Sequence, residues 1–520
     1  MKPTVKRSLL TLVSCILATA CTTTNDDGTR ELPVSAPGAV GMSSDHLTKV
    51  DQVVERYIEE GRVNGVVIAV TRRGQVVYHK AHGAIDDTTG RPMQLDSLFH
   101  MASSTKQILG VAAMMAIEDG LFRPDDPVEK YIPEFKGIQV AVSTAEDALN
   151  RVKKKDVKHA ADGGKGDHKQ WDKSKTDWDK NKPKQIDKKA DWDKNKPKQS
   201  DKGKADWDKD KSDQWKKDKT ASTKDKSMQM DKGKNQWTKD NVASKQDKKQ
   251  FAADKYNKPP SGYRLENTLR PLTIHDLLTH TAGVQTGGIG TSVAGLDRPG
   301  STDSLATWIP KVAKGPLDFQ PGARWAYSGT VGLDVVARII EITSETPFNE
   351  FVKQRIFEPL DMKDTHWNIP DEKTGRLPRF SNDKGRFITS PYYFSGSIGL
   401  VSTARDFMHF HQMLVNGGSL FGQQLLLPTS LDLMSTDMAG KLYQQGKKGA
   451  GRGFGYTVNI NLDPAMSGDG SPAGSFGFGG AAGTVSWSAP SEELTFVYMV
   501  QAPTDLPGKI STLVTEAIMD

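Results

Sequence analysis

The chain has 520 residues, with 70 basic and 64 acidic side chains, a formal charge of +6, and two cysteines. Two cysteines exclude a disulfide scaffold, the lack of a glycine period excludes a collagenous chain, and no internal run of 18 apolar residues marks a membrane span. The charge averages two unlike parts: residues 151–250 carry 32 Lys and Arg against 19 Asp, while the remainder carries 38 basic against 45 acidic residues.

Residues 1–20 read MKPTVKRSLLTLVSCILATA. Lys2, Lys6 and Arg7 precede an apolar run of about a dozen residues, too short to span a bilayer and suited to an export signal. Leu17-Ala18-Thr19-Ala20 before Cys21 resembles a bacterial lipobox, with its Leu four residues before the Cys instead of the usual three. The resemblance implies lipidation of Cys21, and Thr22 beside it fits sorting to the outer membrane of a Gram-negative cell, facing the periplasm. Ordinary cleavage to a soluble periplasmic protein is the alternative. Cys15 would leave with the signal, so an exported chain without disulfides must rest on its core. Residues 21–44, rich in Thr, Ser, Asp, Gly and Pro, are expected to form a flexible tether.

Apolar residues at 47, 50, 54, 57 and 58 have helical spacing, and Gly61 marks a stop. Val66–Val70 and Gln75–His79 read as strands joined by Thr71-Arg72-Arg73-Gly74. TKQILGVAAMMA, over 105–116, predicts a helix with so little polar face that it should be buried mid-domain.

Between about 148 and 258 the composition changes. A unit of 14 to 15 residues repeats, with Trp178, Trp192 and Trp207 in register among Lys and Asp. Pro183 and Pro197 interrupt any helix, and one aromatic per repeat builds no core, so the expected state is disordered. Six of the ten Trp fall here, and Lys beside Trp suits a polyanion or glycan. Behind an export signal that points to cell-wall polymer or lipopolysaccharide, and nucleic acid is not expected. The plainer alternative is an expanded repeat tolerated as a loop, because long insertions add little closure entropy.

Further on, Leu272–Thr279 and Val331–Ile340 are predicted helices. Ser475–Gly479, Thr484–Ser488 and Leu494–Gln501 read as strands, Pro507-Gly508 as a turn, and Ile510–Met519 as a terminal helix. The ordered parts, 45–147 and 259–520, suffice for one large domain. The expected class is α/β (α+β), with a sheet made from both chain ends beside a helical middle.

Ser103-Ser104-Thr105-Lys106 is an S-x-x-K at the start of the apolar helix. Residues three apart share a helical face, so the Lys106 amine can reach the Ser103 hydroxyl. Burial moves such a lysine toward the neutral base that activates a serine, and the helix N-terminus offers N–H groups to an oxyanion. The pattern alone is weak: Ser381-Asn382-Asp383-Lys384 is a second copy, and Ser103 could simply cap the helix. No G-x-S-x-G supports an α/β-hydrolase elbow.

Further segments occur in order: Phe99–Lys106, Leu272–Gly283, Tyr327-Ser328-Gly329, Gly399–Asp406 and Phe478–Thr484. With these the chain resembles the serine β-lactamase-like superfamily of class C β-lactamases, D-alanyl-D-alanine carboxypeptidases and family VIII carboxylesterases. The resemblance implies a β-lactamase-like fold with an antiparallel sheet flanked by helices and a mostly helical lobe. It further implies that Ser103 is the acylated nucleophile, Lys106 its proton partner and Tyr327 the second acid–base group.

Two departures bear on substrate. Gly329 stands where the family usually has Asn, which removes an amide that would hold the lysine and the acyl side chain. In the third motif, Phe478-Gly479-Gly480, Phe478 occupies the place of a Lys or His that would bind a carboxylate. Gly479 and Gly480 permit close approach of substrate and offer a backbone N–H to the oxyanion. The literal Lys373-Thr374-Gly375 sits in a charged turn and reads as coincidence.

The expectation is therefore a serine hydrolase acting on small ester or acyl substrates through an acyl-enzyme, with no cofactor and no metal. A D-Ala-D-Ala carboxypeptidase, D-aminopeptidase or β-lactamase is one alternative. A non-hydrolytic penicillin-binding or envelope-binding protein is the other.

Overall fold

The computed structural model describes residues 23–24, 28–144, 262–296, 298–378, 390–445 and 449–520. The export signal, Cys21, the whole 148–258 segment and the second S-x-x-K at Ser381 lie outside the described residues. The elements named below all belong to the unit built from 1–153 and 251–520.

The main sheet has eight strands: β1 (Gly65–Arg72), β2 (Gln75–Asp86), β3 (Arg91–Pro92), β4 (Arg452–Phe454), β5 (Asn459–Asn461), β6 (Phe476–Gly479), β7 (Val485–Ala489) and β8 (Leu494–Met499). Their order across the sheet is β4-β5-β6-β7-β8-β1-β2-β3, antiparallel throughout. The sheet is thus closed at its centre by β8 against β1, with Val497 opposite Ala69. The β-lactamase-like α/β architecture expected from the sequence is the one observed.

Five helices place the core: α1 (Ser44–Glu59), α2 (Thr105–Glu118), α3 (Gly332–Ser344), α4 (Ala404–Val415) and α5 (Leu506–Glu516). On one face, Leu47, Val50 and Val54 of α1 and Ile510 and Val514 of α5 pack with Val66, Ile68, Val70, Phe496 and Tyr498. On the other, α4 crosses β7, β8 and β1, where Val67, Ala69, Val497 and Met499 join the core containing α2 and α3. Every residue of β1 is buried, which explains an unbroken apolar run where a one-sided strand would alternate. Completely burying a side chain such as Ile68 contributes about 1.5–3 kcal/mol. From Thr105 to Ala116 all of α2 is buried, as its missing polar face required. Gly110 makes that possible, because a Cβ there would overlap Thr457 Oγ1 and the end of Met434.

Two expectations need correction. Residues 30–44 are docked and not a free tether. Val34 bridges to Val76, Leu32, Val40 and Met42 are buried, and Glu31 accepts from Arg405 at 2.7 Å. Three apolar side chains among many polar ones were enough to anchor the segment. Pro507-Gly508 is no turn but the first turn of α5, where proline's missing N–H has no helical partner to lose.

The inserted segment leaves from a hairpin. Gln139–Ser143 pairs antiparallel with Tyr263–Asn267, Ser143 lies opposite Tyr263, and Thr144 N–H donates to Gly262 O at 2.9 Å. The two ends of the intervening stretch therefore meet at adjacent backbone positions.

Candidate active site

Ser103 sits in a tight turn, Ala102–Ser104, that leads into α2. The preceding Ala102 is held at φ 44°, a left-handed conformation that costs a residue with a Cβ about 1–3 kcal/mol. Both sides of it are pinned: Met101 N–H donates to Leu400 O at 2.8 Å, and Met101 O accepts from Ser104 N–H at 2.9 Å. The turn presents the half-buried Ser103 hydroxyl at the mouth of the helix. That hydroxyl does not cap α2, since the cap position, Ser104, makes no side-chain cap bond.

Lys106 is completely buried one turn on, and its Nζ donates to Ser103 Oγ at 3.3 Å, Gly329 O at 2.8 Å and Ser397 O at 2.9 Å. Burial lowers its pKa to about 7, against the opposing pull of the Asp334 charge. The two carbonyls give the amine a direction. In the neutral form its two N–H bonds remain on Gly329 O and Ser397 O, which leaves the lone pair aimed at Ser103. Gly329 thus holds the lysine with its backbone at the motif position where the family's Asn amide would stand.

Tyr327 Oη donates to Ser103 Oγ at 2.7 Å, and Lys106 Nζ lies 5.0 Å from the Tyr327 ring centroid. Burial raises the phenol to about 12, with the Ser103 hydrogen bond acting the other way. The resting tyrosine is therefore a proton donor, and Lys106 is the group that can accept. His280 packs edge-on to Tyr327 at 4.9 Å and takes the Ser328 N–H on Nδ1 at 3.4 Å. Burial, reinforced by the Lys106 charge, drives its pKa well below the usual value and keeps the ring neutral.

The third-motif strand ends beside this group. Phe478 stacks on Tyr327 at 6.1 Å, and Trp325 stacks on the same ring at 6.3 Å. Gly480 N–H is engaged with Thr484 O at 2.7 Å, so it is not itself the free donor expected of this region. Among the described residues, the neighbouring exposed Ala481 N–H has no acceptor, nor has Ser103 N–H, and this pair is available to an oxyanion. Gly480 has a different importance: a Cβ there would overlap Met101 O and Thr484 Oγ1. Thr484 Oγ1 in turn contacts Ser104 Oγ at 3.2 Å and Met101 O at 3.3 Å, locking the glycine turn onto the nucleophile turn. Gly479 lacks that constraint, with nothing closer than 3.4 Å to its missing Cβ.

The structure thus brings Ser103, Lys106, Tyr327, Phe478 and the Gly479-Gly480 strand end together. Lys373 is elsewhere, paired with Asp364 at 2.8 Å. Sequence reasoning missed Ala481, His280, Ser397 and Asp334. The last had a visible signal, a lone Asp between Leu333 and Val335 on a helix that is otherwise apolar at that point.

A family model described as beta-lactamase matches residues 50–147 and 252–514, and the chain belongs to that family. An uncharacterized protein of Mycobacterium tuberculosis is 32% identical over 265 residues, 46% of this chain; the match spans 64% of that relative's length, just under two thirds. Esterase EstB of Burkholderia gladioli is 23% identical over 487 residues, 87% of this chain and 89% of the esterase. Among solved structures, EstCE1, described as a hydrolase with promiscuous acyltransferase activity, aligns with a TM-score of 0.58 at 17% identity. That alignment covers 92% of this chain and 99% of that one, and it shows the shared fold.

Proposed function

We propose that the protein is a serine hydrolase that cleaves carboxylic esters or related small acyl substrates through a covalent acyl-enzyme. The observation that carries this reading is the Ser103 hydroxyl, bonded at once to Lys106 Nζ at 3.3 Å and Tyr327 Oη at 2.7 Å. Lys106 takes the hydroxyl proton as Ser103 Oγ attacks the carbonyl carbon, and the resulting oxyanion lies against the Ser103 and Ala481 N–H groups. Collapse breaks the bond to the alcohol oxygen, which leaves with the Tyr327 proton. The proton held by Lys106 then restores the phenol across the Ser103 site. Water repeats the attack on the acyl group with the same residues acting in reverse, releasing the acid and free Ser103.

Esters are favoured over peptides and β-lactams by two residues. Phe478 puts a ring where a cation would bind a substrate carboxylate, and Gly329 brings no side-chain amide to hold an acyl-amide chain. The esterase named among the relatives points the same way. The test compares turnover of short p-nitrophenyl esters with D-alanine release from D-Ala-D-Ala peptides. Ester turnover at least tenfold faster in kcat/KM is expected, and efficient D-alanine release without ester turnover would reverse the assignment.

On the same reading the enzyme is an outer-membrane lipoprotein, anchored through Cys21 and facing the periplasm, with the Lys/Trp segment touching cell-wall polymer or lipopolysaccharide. The support is the charged and apolar pattern of 1–21 and the +13 surplus of 151–250. Cys21→Ser should move the protein from the membrane to the soluble envelope fraction. Deleting 151–250 should keep ester turnover and abolish salt-sensitive attachment. The meeting ends of the hairpin at Ser143 and Tyr263 are the reason to expect an intact domain. Loss of turnover in a soluble deletion protein would show that the segment is part of the enzyme.

A further inference from the structure

Asp334 is completely buried in the first turn of α3, yet none of the catalytic steps calls on it directly. Its carboxylate accepts from Tyr393 Oη at 2.7 Å on one oxygen, and from Ser395 Oγ at 2.7 Å and Ser397 N–H at 2.9 Å on the other. All three donors belong to one buried loop, and Ser397 then presents its own carbonyl to Lys106 Nζ at 2.9 Å. A single residue, Ser397, therefore has its N–H on the aspartate and its C=O on the catalytic lysine.

The loop has nowhere else to go. A Cβ on Gly396 would lie 2.9 Å from Leu109 of α2 and 3.3 Å from Ala337 of α3, so the strip is wedged between the helices that carry Lys106 and Asp334. Trp367 Nε1 donates to Ser395 O at 3.0 Å, and Ser395 Oγ also takes the Ile398 N–H at 3.0 Å. Asp334 has no Lys or Arg as an ion-pair partner among the described residues. Such a carboxylate is costly to bury unless its charge acts on a nearby cation.

We propose that Asp334 is a positioning residue that, through the Ser395–Ser397 loop, fixes the Lys106 amine against Ser103 and sets the pH at which that amine becomes a base. The proposal rests on the serine-hydrolase reading and adds the control of its proton acceptor. Burial raises the aspartate to about 6, with its hydrogen bonds opposing, and its charge favours the protonated lysine. Other titratable groups bear on the pair. Tyr327 and His280 lie on the Lys106 side and stay neutral near pH 7. On the Asp334 side, Tyr393 is held protonated, while Glu341 and Asp303 pair with Arg338 and Lys311.

Removing the negative charge destabilises protonated Lys106, so the neutral base forms at lower pH. In Asp334→Asn the rising limb of the pH–kcat/KM profile for a p-nitrophenyl ester is expected to move down by about one unit. A folded variant whose limb stays at the wild-type pH overturns the proposal. Ser395→Ala keeps the charge but loosens the loop, and guards against an Asp334→Asn protein that does not fold. It should lower kcat about fivefold to tenfold with KM and the limb unchanged, and wild-type kcat would sink the positioning role. Wild-type protein that neither turns over esters nor labels with a fluorophosphonate would instead refute the underlying hydrolase reading.

Discussion

Ser103→Ala is expected to lose ester turnover by about a thousandfold or more, and to lose fluorophosphonate labelling altogether, while retaining the wild-type melting temperature. The hydroxyl has no structural duty that would confuse the result: it does not cap α2, and among the described residues its side-chain bonds are to Lys106 and Tyr327 alone. Peptide mapping of labelled wild-type protein should place the adduct on Ser103. A label on Ser381, the first residue of the second S-x-x-K, would reject the assigned nucleophile. Because the three side chains act as one unit, Lys106→Ala combined with Ser103→Ala should be hardly slower than Ser103→Ala alone.

Gly480→Ala should be the most damaging change that touches no reacting side chain. Its new methyl would collide with Met101 O and Thr484 Oγ1, two atoms that cannot withdraw, because one is backbone and the other bridges to the nucleophile turn. The 480–484 turn must shift and take with it the Ala481 N–H, the donor proposed for the oxyanion. Loss of one oxyanion donor costs about 100- to 1,000-fold in kcat. Gly479→Ala is the matched control, since its methyl would meet only Thr484 O at 3.4 Å and Val485 at 3.6 Å. It should stay within a few fold of wild type. Equal damage from both substitutions, measured as kcat on one ester with thermal melts alongside, would remove the turn from the mechanism.

The parts of the molecule are unevenly legible in the sequence, for physical reasons. β8 and the helix α2 can be read from their largely apolar runs, and β6 and β7 from short alternations of apolar residues with Gly or Ser, all bounded by glycine or polar turns. Ser103 and Lys106 are legible through the S-x-x-K spacing, and Tyr327 through the family resemblance of Tyr327-Ser328-Gly329. α4 is not: His409, His411 and Gln412 all lie buried in it and blur the apolar stripe. Burial pushes both histidines down to about 3, so they serve as neutral core residues. The Asp334 linkage escapes sequence reading because its partners are 59 to 63 positions away in the chain, and Ser397 meets Lys106 across 291. The expected oxyanion donor is displaced by one residue, because only the fold shows which N–H of the glycine turn is already used.

The central seam of the sheet has a consequence for how the molecule comes into being. β1 and β8 join stretches far apart in the sequence, and Thr71 and Thr495 touch at 2.6 Å across a separation of 424. During synthesis β1 is made long before β8, its partner on that side, which follows more than 400 residues later. The native sheet cannot close until Leu494–Met499 has been made. Non-local pairing of this kind folds slowly and leaves an unpaired, aggregation-prone edge until it is complete. A chain whose central strand waits for a partner so far downstream stays open through most of its synthesis.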